Sequence, residues 1–174
     1  MRAESPARIS LERRPEAIQD VSFRWSPREI EVIQGMIEGL TDEEIPKRLG
    51  GISPKVVGMT RNRVNNKVDP TGVNTFQFNL ARAIVDCVDR NLITTDFLTD
   101  RPSSPLIEQE VRMLALMLEG VNGRGISEKM RISLWAVDRY RDSLYRKLQV
   151  RSRWSAIAWA AVQIKQSEEQ KRRL

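Results

Sequence analysis

The 174-residue sequence predicts an all-α protein made of two tandem four-helix units. Three observations lead there. Apolar residues recur every three to four positions, the spacing of one helix face. Capping signals stand immediately ahead of those stretches. A segment of the first half also returns, nearly in register, in the second. Aromatic residues make up only 6% of the chain and alternating Val, Ile and Thr are scarce, so the composition does not favour a sheet.

Residues 1–23 carry Arg2, Arg8, Arg13 and Arg14 against Glu4, Glu12, Glu16 and Asp20, and read as an N-terminal arm. The first unit is expected over 24–93. Its first helix opens at Ser26-Pro27-Arg28-Glu29, where Ser26 caps, Pro27 suits the first helical position and Glu29 completes a capping box. Ile30, Ile33, Ile37 and Leu40 then share a face, and Gly39 ends the helix. Thr41-Asp42-Glu43-Glu44 is a second capping box, opening a short helix with Ile45 and Leu49 turned inward. Gly50-Gly51 makes a turn, and Ser53-Pro54 starts a third helix that Asp69-Pro70-Thr71-Gly72 breaks. A fourth helix over about 74–91 places Phe76, Leu80, Ile84 and Val88 on one stripe.

Residues 94–105 (TTDFLTDRPSSP) have the composition of a linker, and the second unit is expected over 106–174. Glu110 through Gly120 (EVRMLALMLEG) matches Glu29 through Gly39 (EIEVIQGMIEG), Ile132-Ser133 matches Ile52-Ser53, and Lys147 falls on Lys67. The first copy has one extra glycine in its turn. The pattern is that of an internal duplication.

Composition narrows the function. Lys and Arg number 29 against 23 Asp and Glu, a formal net charge of +6, which favours a polyanionic partner but is shared with ribosomal, membrane-surface and ordinary basic proteins. There is no histidine, so the usual neutral-pH acid–base group and commonest metal ligand is missing. The single cysteine, Cys87, allows neither an internal disulfide nor a Cys-rich zinc site, and among Ile84, Val85 and Val88 it reads as a buried residue rather than a nucleophile. Without a phosphate loop or nucleophile constellation, the expectation is no enzyme, no cofactor and no metal. No apolar run reaches the roughly 18 residues of a membrane helix, and the N-terminus lacks the apolar core of a signal peptide. A cytoplasmic, nucleoid-associated location with no membrane partner is expected.

A short helix, a tight turn and a Ser-capped third helix make the grammar of a helix-turn-helix. The stretch SPREIEVIQGMIEGLTDEEIPKRLGGISPKVV resembles the bacterial LuxR/GerE-type DNA-binding domain, in which S-P-R-E-x-E-V leads into E-G-L-[ST]-x-x-E-I-A-x-x-L and then I-S-x-x-T-V. The second copy keeps Leu118-Glu119-Gly120, Ile126, Ile132-Ser133 and Val137. Its Lys147-Leu148-Gln149-Val150-Arg151-Ser152-Arg153 is similar to the family's K-L-x-V-x-[SN]-R exit from the recognition helix. Both copies depart from the pattern. Pro46 replaces an alanine in the short helix, where a mid-helix proline costs about 3 kcal/mol, so that helix is expected to be distorted or shortened. Gly123 and Gly125 each disfavour the corresponding helix by roughly 1 kcal/mol.

The resemblance makes the third helix of each copy the reader of double-stranded DNA. On a wheel of 100° per residue, Val57, Thr60, Val64 and Val68 face inward in the first copy, as do Val137, Tyr140, Leu144 and Leu148 in the second. Outward and flanking in the first copy stand Lys55, Gly58, Met59, Arg61, Asn62, Arg63, Asn66 and Lys67, behind the cap Ser53, with no acid from Ser53 to Val68. Asn can bond both edges of adenine and Lys can reach guanine or phosphate. The plain alternative is that Asn62 and Asn66 are solvated helix polar residues. The second copy presents Trp135, Asp138, Arg139, Asp142 and Arg146, with Lys147, Arg151 and Arg153 beyond. Family members often place a basic residue where Asp138 stands. Asp accepts from cytosine but meets the phosphate field, and these charges could equally form self-neutralising surface pairs. This copy therefore reads either as a weaker DNA head or as a protein-binding or pairing module.

The fourth helix commonly forms the dimer contact in LuxR-like domains, which implies a homodimer. In the helix expected over Arg153 to Gln166, Trp159 with Val162 falls outside the stripe of Trp154, Ile157, Ala161 and Ile164, as an exposed association anchor would. The alternative is burial within the chain, on the arm or the first copy, including a pairing of the two fourth helices. The sequence thus reads as a sequence-specific double-stranded DNA-binding transcriptional regulator with two covalently linked heads. The competing reading is a protein-interaction module, an antirepressor, polymerase adaptor or sigma-like factor whose partner is RNA polymerase or another regulator.

Overall fold

Six of the eight helices among the described residues start where a short polar side chain, Ser26, Ser53, Thr75, Asn122, Ser133 or Ser152, accepts from an orphan backbone N–H. The computed structural model describes residues 23–173, all helix, turn and loop with no strand among them. The arm expected over 1–23 lies outside the described residues except for Phe23. In α1 (Pro27–Ile37) the capping box forms as read: the Glu29 N–H donates to Ser26 Oγ at 3.3 Å and the Ser26 N–H donates to Glu29 Oε2 at 2.7 Å. Gly39, at φ +78°, turns the chain out of the helix.

The second box also forms, with the Thr41 N–H on Glu44 Oε2 at 2.8 Å and the Glu44 N–H on Thr41 Oγ1 at 3.2 Å. Regular helix begins only at Glu44, so α2 (Glu44–Leu49) has 6 residues. The expected shortening is present, and it is what makes Pro46 tolerable: at the third helical position the missing N–H is one of those a helix start leaves unpaired. The counterpart, α6 (Gly123–Met130), has 8 residues and keeps Gly123 and Gly125 in its first turn, where Asn122 caps the Gly125 N–H at 2.9 Å.

Ser53 and Ser133 cap α3 (Pro54–Val68) and α7 (Leu134–Leu148), 15 residues each. The predicted inner faces are seated: Val57, Thr60, Val64 and Val68 are buried, as are Val137, Leu144 and Leu148, with Tyr140 half-buried. After α3, Asp69 organises the turn by accepting from Thr71, Gly72 and Asn74, and these bonds hold its carboxyl down to about 2. Thr75 then caps α4 (Phe76–Asp89).

α5 (Glu108–Leu118) repeats the 11-residue length of α1. α8 (Arg153–Arg172) runs 20 residues, past the end expected near Gln166. The most extensive helix–helix contact joins α4 to α8, while α8 also packs on α1 and α5, and α4 on α5. One continuous apolar core therefore runs through both halves, from Val32 and Ile33 of α1 to Leu144 and Leu148 of α7. Residues 94–105 lie along this body: Thr94 exchanges bonds with the Gln34 side chain, Thr99 Oγ1 donates to the Leu148 carbonyl at 3.2 Å, and the Ser103 N–H donates to the Lys147 carbonyl at 2.7 Å. Among the described residues no helix is long and apolar enough to cross a membrane.

Candidate nucleic-acid interface

α3 shows the first candidate surface. Thr41, the turn after α1 and the short α2 position it, and Ser53 Oγ accepts from the Val56 N–H at 3.4 Å, leaving the helix start facing outward. Lys55, Asn62, Arg63 and Asn66 are exposed, Met59 is 48% exposed, and Gly58 is half-buried with open space where a side chain would stand. Among the described residues neither Lys55 nor Arg63 is in an ion pair, and Asn66 accepts only a bond from its neighbour Asn65. This face combines amide groups that can both donate and accept with two cations that form no ion pair among the described residues. That is chemistry for base edges and phosphates together.

α7 presents a different surface. Trp135 is 67% exposed and the Arg139 guanidinium lies 4.9 Å from its ring centroid, a cation–π contact. Arg141 bridges Asp138 at 2.9 Å and Asp142 at 3.6 Å, so both acids are partly neutralised within the helix. Arg146 and Arg151 are exposed. Leu134, 52% exposed beside Trp135, is an outward apolar residue that the sequence reading missed. Its position one residue after the cap, before any inner-face residue, is the signal that could have found it.

Four of the cations read as DNA contacts have partners within the protein. Arg61 pairs with Asp42 at 2.7 Å and ties α3 to the turn before α2. Lys67 bonds Glu29 Oε2 at 2.5 Å and the Arg24 carbonyl at 2.8 Å, and lies over the Trp25 ring. Lys147 does the same in the second half, reaching Glu110 Oε2 at 2.7 Å and the Pro105 carbonyl at 3.0 Å. Burial pushes both carboxyls up, but the lysine bonds, with those from Ser26 or from Ser143 and the Ile107 N–H, outweigh it and hold each below its ordinary value. A buried carboxylate needs its cation, so each lysine is held to its glutamate. Arg153 donates to the carbonyls of Val121 at 2.7 Å and Met117 at 3.3 Å, closing the end of α5, and its burial lowers its basicity.

Trp159 is likewise not an exposed anchor. It is 1% exposed and its indole N–H donates to the Thr99 carbonyl at 2.7 Å. The wheel fails because α8 is covered on several sides, by α4, α1 and α5 and by residues 94–105, rather than on one. Val162, half-buried, lines an open recess with Thr95, Leu98 and Thr99. Cys87 is fully buried and burial pushes its thiol up to about 12, which leaves no thiolate for chemistry at neutral pH.

Residues 104–160 match the family of bacterial regulatory proteins described as the luxR family, GerE. The match spans α5, α6, the turn, α7 and the first turns of α8. No curated protein and no solved structure matches the chain.

Proposed function

We propose, taking the LuxR-type stretch at 104–160 as the premise, that the protein is a sequence-specific double-stranded DNA-binding transcriptional regulator with two covalently linked helix-turn-helix heads. The observation that carries this reading is the outer face of α3. It stands in the same place in its half as α7 does in the matched half, and it exposes Lys55, Asn62, Arg63 and Asn66 with no acid on the helix. α3 is the stronger reader and α7 the weaker, because Asp138 and Asp142 are 58% and 70% exposed at their side chains and oppose the phosphate field. Cation contacts from Arg63, Lys55, Arg146 and Arg151 would fix the register, and Asn62 and Asn66 would read bases.

One observation favours a second reading. Leu134 and Trp135 form an exposed apolar pair at the start of α7, the kind of anchor a protein partner such as RNA polymerase or another regulator buries. A titration of labelled duplex against salt decides between them. DNA reading requires an affinity that falls linearly in log–log form with a slope set by the phosphates neutralised. Affinity that is absent, or indifferent to salt, overturns it in favour of the protein-partner reading.

A further inference from the structure

We infer that one chain is its own dimer, closed by an internal two-fold relation, and that a single copy spans two inverted half-sites of unlike sequence on one duplex. The duplex part rests on the DNA-binding reading above. The closure rests on how the halves exchange contacts.

Gly39 and Gly120 occupy the same place, just past the ends of α1 and α5, both at positive φ, +78° and +71°. With the caps Thr75 and Ser152 aligned, Phe78 of α4 corresponds to Ser155 of α8. A side chain built on Gly120 would fall on the backbone of Phe78. One built on Gly39 would meet Arg151 Cβ at 2.9 Å and Ser155 Oγ at 3.7 Å. Each half therefore sets the end of its first helix against the start of the other half's fourth helix. The helix pairs agree: α1 lies on α8, α5 lies on α4, and α4 lies on α8. Reciprocal exchange of equivalent patches belongs to a two-fold. Repeats stacked head to tail would make each contact in one direction only and leave an unsatisfied surface at each end.

The fourth helices are also used up in this pairing. Ala81, Val85 and Cys87 of α4 are buried, as are Ala156, Ala158, Trp159, Ala160 and Ala161 of α8. Lys165 of α8 reaches across to the carbonyls of Val88 and Asp89 at 3.0 and 3.1 Å and to Asn91 Oδ1 at 2.7 Å. Among the described residues no large apolar side chain is left exposed on α4 or α8. The helical ones that are exposed, Val56, Met59, Leu134 and Trp135, sit on α3 and α7. The surface that a second chain would use for a fourth-helix dimer is occupied from within.

A two-fold that relates the halves relates α3 to α7, so the two reading helices meet DNA in opposite orientations, as in a dimer on an operator. Their faces are not copies. Lys55 stands opposite Trp135 in the alignment, Gly58 opposite Asp138, Asn62 opposite Asp142 and Asn66 opposite Arg146. Amides favour adenine, while Asp and Arg favour the two members of a G·C pair. The preferred site is inverted in geometry and non-palindromic in sequence.

Sedimentation of the full chain over a concentration series tests the closure. A species of 20.0 kDa throughout is expected, and a dimer overturns it. Selection from a random duplex library, with the stoichiometry of the selected complex, tests the site. The expected product is one chain per duplex and two different half-motifs about 10 bp apart, centre to centre. Asn62→Ala should erase preferences in one half-motif only and Asp142→Ala in the other only. A complex with two chains, a palindrome, or one half-motif overturns the single-chain site. No enrichment at all, from a chain that sediments as a monomer, sinks the DNA-binding reading and leaves the closure standing.

Discussion

Replacing Gly120 with alanine separates the backbone effect of one residue from the contact between the halves. Gly120 sits at φ +71°, a conformation that costs a non-glycine residue about 1 kcal/mol. Its added methyl would also land on the Phe78 backbone at the first turn of α4. Backbone cannot rotate away as the end of a side chain can, so α4 and α5 must separate locally, at about 1–3 kcal/mol for an overpacked site. Gly120→Ala should therefore cost about 2–4 kcal/mol in all. Gly72→Ala is the control: φ is +69° and nothing lies within 4 Å, so only the conformational cost of about 1 kcal/mol remains. Gly39→Ala should fall between them, because the neighbour it meets is Arg151 Cβ. Urea unfolding followed by tryptophan fluorescence gives the three values, provided the slopes agree. If Gly120→Ala lies within about 0.5 kcal/mol of Gly72→Ala, α4 does not abut the end of α5.

Three further outcomes follow. Lys147→Met leaves Glu110, whose side chain is 1% exposed, as an unpaired buried charge and should cost about 3–5 kcal/mol near neutral pH. In the wild type the Glu110 carboxyl is held below its ordinary value, so its contribution is present above the unfolded pKa and is lost as pH falls through the folded one. The variant should show the opposite slope there, recovering part of its loss as acid neutralises Glu110; parallel curves for the two proteins in urea melts at pH 7 and pH 4 would count against the pairing. Cys87, with its thiol pushed up to about 12, should resist a thiol reagent in the folded protein and react at once in denaturant, and rapid labelling of folded protein would show that α4 is not buried as described. On duplex DNA, Asn62→Ala should lower specific affinity by about 1–3 kcal/mol with the salt slope kept, whereas Arg63→Ala should weaken all sequences and reduce the slope by about one; anisotropy titrations that show the same change for both would remove the division between reading and anchoring.

Several features of the protein follow from the chain alone. Helix starts at Ser26, Ser53 and Ser133, the capping box of Thr41 and Glu44 and the turn at Gly39 were legible because a cap acts over three or four residues, within reach of its own backbone. The inner faces of α3 and α7 were legible because each of those helices has one buried side. The outward Lys55, Asn62, Arg63 and Asn66 follow from the same wheel. What escaped the sequence depends on surfaces distant in the chain. Lys67 and Lys147 look like recognition-helix cations until the fold brings Glu29 and Glu110 to them across 38 and 37 residues. Arg153 finds the carbonyls at the end of α5, and Trp159 goes inside because α8 is enclosed rather than half-exposed. Periodicity specifies which side of a helix is apolar, but a helix packed on several sides at once has no single inner stripe. Which faces close on one another was decided only when α4 met α8, since burial depends on the shape that the rest of the chain presents.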